Sequence, residues 1–366
     1  MFFQQISIRN FRAIESLEME NIKQVNLLTG RNNCGKSSVL EAISLLAWMS
    51  YPQAAISVHN FRGMTVTGNK DFSCLFHGFD FARNPSMTGR LGSQERRLDI
   101  RPIYPTSSGI VAQFPGIHEP VENNPLSGMI AREAIPDGLA FDFSTDEKPF
   151  HTEVRILPGN PASYSGAGGQ LNFQSAPDYR ETLLARFINP ATTMSGLYQG
   201  LEAVLVRKES GGIIDALREI EPNLQDIRLG TGQMIYADIT HMGRLLPINI
   251  MGDGIIKILS ILVNILETKN GILFIDEIEN GLHYSALMPL WRAIFKMARE
   301  SNVQLFIATH SYECIDAMAD VYRESGVGEE FMSLFRIDRD DDGQHRAFQY
   351  EVDSLLFAIK KDFEVR

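Results

Sequence analysis

Long apolar runs are missing from this chain. The longest candidate, Ile255 to Leu266, is interrupted by Lys257, Ser260 and Asn264, and a membrane helix needs roughly 18 to 20 apolar residues. No membrane attachment is expected. The opening residues show no basic stretch, apolar core and small-residue cleavage site, which argues against a secretory signal. Cysteine is scarce: Cys34, Cys74 and Cys314 are odd in number and far apart. That argues against a disulfide scaffold and fits a reducing compartment, so the expected location is cytoplasmic. Basic charge is in deficit, with 34 Lys and Arg against 45 Asp and Glu and a net charge of −11. Proteins that coat nucleic acid gain most non-specific affinity by neutralising phosphates. The balance argues against broad coating and leaves room for a local basic groove. The one modest basic cluster, Glu95 to Arg101, reads as a solvated loop, with polynucleotide contact as the alternative. Repeats and long heptad stretches are absent, so long coiled coils are not expected.

The 366 residues, 44% of them apolar, suffice for one large or two modest domains. Phe2 to Ile8 and Gln24 to Thr29 read as strands, linked through a further short strand between Asn10 and Met19. After the glycine-rich Gly30 to Gly35, Ser37 to Met49 reads as a helix with Val39, Leu40, Ile43, Leu46 and Ala47 on one face, ending at Pro52. Residues 52 to 180 are rich in Gly, Pro, Ser and Asn. Strand-like pieces at Leu139 to Phe143 and Thr152 to Leu157, with an irregular loop at Pro158 to Gly169, imply an insertion of loops and antiparallel strands.

Helical periodicity returns at Ser195 to Val206 and Ile213 to Ile220. Strand-like pieces follow at Ile227 to Leu229, Met234 to Ile239 and Leu245 to Ile250, then a helix from Gly254 to Leu266. Beyond it, strands at Gly271 to Ile275 and Val303 to Ala308 alternate with helices at Tyr284 to Arg299 and Tyr312 to Ala319. Such alternation implies a parallel sheet with helices on its faces. Phe331 to Ile337 and Arg346 to Val352 flank Asp341-Asp342-Gly343 as a hairpin. Asp338, Asp340, Asp341 and Asp342 then form its solvated tip rather than a metal site.

Three motifs carry chemistry. Gly30-Arg31-Asn32-Asn33-Cys34-Gly35-Lys36-Ser37 matches G-x-x-x-x-G-K-[ST] between a strand and a helix. Its N–H groups and the following helix N-terminus cradle phosphates, Lys36 faces the β and γ phosphates, and Ser37 offers a hydroxyl to Mg²⁺. The expected ligand is ATP, held by residues 30–38, the last being Ser38. Cys34 occupies a variable position of the loop. Gly271-Ile272-Leu273-Phe274-Ile275-Asp276-Glu277 brings an apolar strand to two acids. Asp276 would hold Mg²⁺ through water and Glu277 would polarise the attacking water. Leu305 to Ser311 is a second apolar strand, ending in His310. It follows the acidic strand after one helix, so a neutral His310 imidazole is placed to meet the γ-phosphate. The catalytic set is therefore Lys36, Glu277 and His310, and the metal set Ser37 and Asp276.

These elements, in this order, resemble the ABC-type ATPases. Ile8-Arg9-Asn10-Phe11-Arg12-Ala13-Ile14, the loop at 30–38, and Asp276-Glu277-Ile278-Glu279-Asn280-Gly281-Leu282-His283 narrow the resemblance to the RecF and OLD (overcoming lysogenization defect) group, with SMC heads as relatives. It covers about the first 50 residues and residues 245 to 366. It implies an α/β P-loop NTPase of ABC type: a mixed central sheet flanked by helices, with an antiparallel N-terminal portion and an inserted helical or irregular lobe. The expected division is 1–80 with the P-loop, 81–224 as insertion and helical lobe, and 225–366 with the signature loop, acidic strand and His310. The resemblance places the signature loop at Met251-Gly252-Asp253-Gly254, which would cap the partner's γ-phosphate, so Gly252, Asp253 and Gly254 join the nucleotide-binding set. Gly252 replaces the usual serine, so turnover is expected to be slow. Asn280 and His283 would lie at a dimer interface, and Phe11 or Arg12 against the adenine. Gln199 and Gln113 are glutamine-loop candidates by order alone.

The resemblance further implies a homodimer closed around ATP that acts on a separate effector or nuclease, in DNA repair or antiphage defence. Nucleic acid is left open as a partner. Residues 311–366 are too few for a Toprim nuclease, so a stand-alone head is expected. A non-hydrolysing ATP-bound scaffold and a P-loop kinase are the alternatives. The kinase would need an acceptor pocket and lid arginines, which the sequence does not display.

Overall fold

A computed structural model describes residues 1–66, 68–105, 135–157, 170–190, 194 and 196–350. The expectations at Pro158 to Gly169, Gln113, Ser195 and residues 351–352 lie outside the described residues.

The chain opens with β1 (Phe3–Phe11), β2 (Ile14–Met19) and β3 (Val25–Thr29). The first two form a hairpin, Ile6 opposite Met19 and Phe11 opposite Ile14. All five residues of β3 are buried, as expected of a strand covered on both faces. Its one amide, Asn26, is satisfied: it donates to the carbonyls of Lys23 and Leu305 and accepts from the Lys23 N–H. Two helices follow, α1 (Lys36–Ala47) and α2 (Gln53–Asn60).

Strands β4 (Ser86–Leu91), β5 (Gln94–Ile103), β6 (Gly138–Thr145), β7 (Lys148–Leu157) and β8 (Gln170–Gln174) come next. They join β1 and β2 in one antiparallel sheet of order β2-β1-β4-β5-β6-β7-β8. The antiparallel portion therefore runs far past residue 80. Glu95 to Arg101 lies inside β5 and not in a solvated loop. Arg96 there is 3% exposed, ion-paired with Glu181 and donating to the Ala47 carbonyl at the end of α1.

The remainder comprises β9 (Ala185–Ile188), α3 (Leu197–Val206), α4 (Gly211–Arg218), β10 (Leu224–Leu229), β11 (Ile235–Ile239), β12 (Leu246–Pro247) and α5 (Asp253–Glu267). After these come β13 (Ile272–Ile275), α6 (Leu287–Ser301), β14 (Gln304–Ala308), α7 (Tyr312–Ser325), β15 (Met332–Arg339) and β16 (His345–Tyr350). The central sheet has the order β16-β15-β3-β14-β13-β9. β15, β3, β14, β13 and β9 run parallel, and β16 is antiparallel to β15. The mixed α/β architecture expected from the motifs is thus present.

Alternation along the central strands splits the core in two. Leu27, Leu273, Ile275, Leu305 and Ile307 join the cluster that holds α3 to α7. Leu28, Phe274, Phe306 and Phe335 face the opposite way, into a second cluster with α1 and the antiparallel sheet. Phe187, Phe274 and Phe306 stack across three adjacent strands, with centroids 5.8 and 5.6 Å apart. Helix α1 lies between the two sheets, and Ser38 to Ala47 are all buried. No helix among the described residues is long and apolar enough to cross a membrane.

Candidate functional site

The parallel register puts the tips of β3, β14, β13 and β9 side by side. At the β3 tip the chain turns through Gly30, whose φ is +137°. A Cβ there would stand 2.3 Å from the Ile337 carbonyl oxygen and 2.8 Å from Cys34 Sγ. Only glycine fits this backbone and this space. Arg31, Asn32 and Asn33 are exposed while Cys34 is buried. Gly35 caps the start of α1. Lys36 follows, and its ammonium donates to the carbonyls of Gly30 (2.7 Å) and Arg31 (2.9 Å). A cation is thereby fixed over a loop at a helix N-terminus, where anions are favoured.

The Ser37 hydroxyl stands near the Asp276 carboxylate, just past the β13 tip. Burial pushes the Asp276 carboxyl up. The Ser37 hydroxyl and Arg62 pull it down, Glu277 pushes it up and Lys36 pulls it down. The Asp276 N–H donates to Ile188 at the β9 tip (2.8 Å). Glu277 has a left-handed φ of +50°, uncommon for a residue with a Cβ, and Asn280 donates to its carboxylate at 3.3 Å. Ser38 is 7% exposed beneath the loop.

His310 lies two residues past the end of β14, the strand that runs between β3 and β13. Its ring does not stand alone. Nδ1 lies 3.0 Å from Glu279 Oε1, which also accepts the N–H groups of His310 (2.8 Å) and Ser311 (3.1 Å). Glu279 therefore ties the loop after β13 to the loop after β14.

Four contributors escaped the sequence reading. Besides Glu279 they are Glu41, Arg62 and Asn189. Glu41, on α1, is 1% exposed and paired with Arg12 and Arg62, each at 2.6 Å. Burial raises its pKa and the two guanidiniums lower it. Arg62 also donates to the Ser38 hydroxyl (3.4 Å), and the charges of Asp276 and Glu277 reach it. Asn189 follows β9 directly, is 2% exposed and donates to the Phe61 carbonyl at 3.1 Å. A lone carboxylate on an apolar helix was a signal for Glu41, and a polar residue between a strand and Pro190 for Asn189. Arg62 had none.

Two expectations need correction. Phe11 is fully buried and Arg12 is committed to Glu41 and to the Val58 carbonyl, so neither is open to an adenine ring. Gln199 is an exposed residue of α3, not at a strand tip. Gly252, Asp253 and Gly254 open α5 beside the loop after β13. A Cβ on Gly254 would lie 3.5 Å from the Gly281 carbonyl, and one on Gly281 would lie 3.7 Å from Asp253 Cβ. Gly252 has a φ of +98° with open space around its missing Cβ, so the backbone, rather than crowding, disfavours a serine there.

A phosphate-binding loop at one strand tip, two acids at another and a histidine between them define a P-loop nucleotide triphosphatase. Residues 144–316 match the family described as "AAA domain, putative AbiEii toxin, Type IV TA system", and residues 1–75 match "AAA ATPase domain". The chain is 22% identical over 380 residues to the ATP/GTP phosphatase of Helicobacter pylori, spanning 97% of this chain and 100% of that protein. It is 25% identical over 130 residues to the DNA replication and repair protein RecF of Idiomarina loihiensis, 32% of this chain and 36% of that one. A solved SMC head bound to the C-winged helix domain of ScpA shares the fold, with a TM-score of 0.51 over 98% of this chain and 100% of that one at 11% identity. Together these matches support an ATPase with the fold of the SMC head and a partial likeness to RecF.

Proposed function

We propose that two copies of this chain close around two MgATP, each nucleotide held by residues 30–38 of one copy and by Gly252, Asp253 and Gly254 of the other, and that hydrolysis reopens the pair. The observation carrying this reading is that the Ser37 hydroxyl lies close enough to the Asp276 carboxylate to pull that carboxyl down, which brings the phosphate loop to the acidic strand. A hydroxyl and a carboxylate are hard oxygen donors that suit Mg²⁺. Bound there, the ion would offset charge on the β and γ phosphates. Lys36 turns from the Gly30 and Arg31 carbonyls to the phosphates. Glu277 orients the attacking water, Asn280 steadies that carboxylate, and the His310 imidazole meets the γ-phosphate. Arg62 adds a second cation on the flank of Asp276 and Glu277.

The pairing of copies draws support from the signature loop lying against Gly281 and Leu282. Ile250 and Tyr284, 71% and 70% exposed, flank the two loops, as apolar side chains awaiting a partner do. Gly252 offers a backbone N–H where a serine would add a hydroxyl, so turnover is slow. The likeness to a RecF repair protein, and the toxin named in the matching family's description, favour a role in DNA repair or antiphage defence. The ScpA domain bound to the SMC head favours a separate effector as the output, a nuclease among the candidates. A state-dependent γ-phosphate bridge is what makes ATP a switch.

The test is phosphate release and sedimentation mass with MgATP for the natural chain and Glu277→Gln. The variant should accumulate as an ATP-bound dimer with little phosphate release. A Glu277→Gln chain that stays monomeric with saturating ATP, or turns over at the natural rate, overturns the reading.

A further inference from the structure

Lys257 Nζ and Glu279 Oε2 are both buried, and neither has a hydrogen-bond partner. Lys257 is 3% exposed and the Glu279 side chain 11%. Burial pushes the ammonium down. The carboxylates of Glu279, Asp276 and Glu277, in that order, pull it back up. A buried charge is costly unless it is paired. Two opposite buried charges within each other's field, yet unbonded, would each be relieved by forming an ion pair.

Both residues sit on moving parts of the proposed cycle. Lys257 is one helical turn beyond Asp253 on α5, so the helix that presents the signature loop also carries the ammonium. α5 packs against β13, the strand that leads to the acids. Glu279 holds the His310 ring and the two N–H groups after β14 through its other oxygen, Oε1.

We propose that Lys257 is a positioning residue: when a phosphate seats at the N-terminus of α5, the helix brings the ammonium onto Glu279 Oε2, and the carboxylate relaxes its hold on the His310 ring. The ion pair draws negative charge away from Oε1, which weakens the imidazole bond most, while the two backbone N–H groups keep the loop in place. The imidazole is then free to turn to the γ-phosphate. Seating of one copy's ATP on its partner is thereby reported to the partner's own site. This relay rests on the ATP-sandwich reading.

Lys257→Met keeps the length of the side chain and removes its charge, and Lys257→Arg restores the charge. Three quantities are read for each: ATP affinity of the single chain by fluorescent analogue, turnover at saturating ATP, and melting temperature. The relay predicts at least a fivefold loss of turnover in Lys257→Met, ATP affinity within about twofold, and recovery in Lys257→Arg. It also predicts that Lys257→Met with Glu279→Gln is no slower than the slower single variant. Natural turnover in Lys257→Met, an affinity loss equal to the turnover loss, or additive single losses overturns it. Should Lys257→Met fail to fold, Glu279→Gln reads the same relay with the opposite sign: it weakens the clasp on the His310 ring directly, so turnover should rise with ATP affinity within about twofold, and a turnover loss overturns the relay. A dimer of Glu277→Gln alongside natural turnover in Lys257→Met refutes the relay alone. Absence of that dimer refutes the reading beneath it.

Discussion

Arg62, just past the end of α2, holds the Glu41 carboxylate of α1 at 2.6 Å, with Arg12 on the other oxygen at the same distance. The Glu41 side chain is 2% exposed, so water cannot replace a lost partner. Glu41→Gln should leave two guanidiniums facing a neutral amide and cost about 3–5 kcal/mol. Denaturant unfolding monitored by circular dichroism measures this. A loss below about 1 kcal/mol would show that the triad contributes little.

Gly30→Ala tests the crowding beneath the phosphate loop. The new methyl would stand 2.3 Å from the Ile337 carbonyl at a φ of +137°. The loop has to shift, with an expected stability loss of about 1–3 kcal/mol and loss of ATP binding by isothermal titration. Undiminished affinity would mean the loop geometry is adjustable.

Lys36→Ala removes the ammonium that donates to Gly30 and Arg31. Charge-assisted hydrogen bonds contribute about 1.5–3 kcal/mol each, so ATP affinity should fall about 10- to 100-fold, with phosphate release falling further. Equilibrium binding and a phosphate assay separate the two losses.

His345 gives the fold a pH dependence. It is 4% exposed, and a Cβ on Gly35 would meet its ring at 3.0 Å. Burial lowers its pKa, Arg339 and His77 lower it further, and the Gly343 backbone and Asp340 raise it. The unfolded chain therefore takes up this proton at higher pH than the folded one. The stabilisation is full above the unfolded value of about 6.5 and is lost as pH falls from there through the folded value. Melting temperature measured from pH 7.5 down to 5.0 should drop less in His345→Gln than in the natural chain.

The parts of the fold most legible in sequence were those whose chemistry is local. The strand–loop–helix around Gly30 to Ser37 and the apolar strands before Asp276 and His310 carry short patterns that physics ties to one geometry. The alternation of strand and helix after Gly271 likewise gave the parallel sheet. What stayed hidden depends on distant partners. Strand β9 is only four residues long and contains Arg186, so its place beside β13 is visible only once β13 exists. β4 and β5 carry polar residues on one face, which blurs a strand read in isolation. Arg62, Asn189 and the Glu279 clasp on His310 join segments far apart in the chain, and no spacing rule links them.

Strand β3 pairs with β14 and β15 and with no strand that precedes it. On the ribosome, the phosphate loop is therefore made early and completed late. Until residues 304–339 have emerged, β3 is an apolar strand with both edges open, the kind of segment that aggregates. Nascent chains halted before β14 should be unable to retain nucleotide and should require chaperone protection, which makes competence for ATP a late event in the protein's biosynthesis.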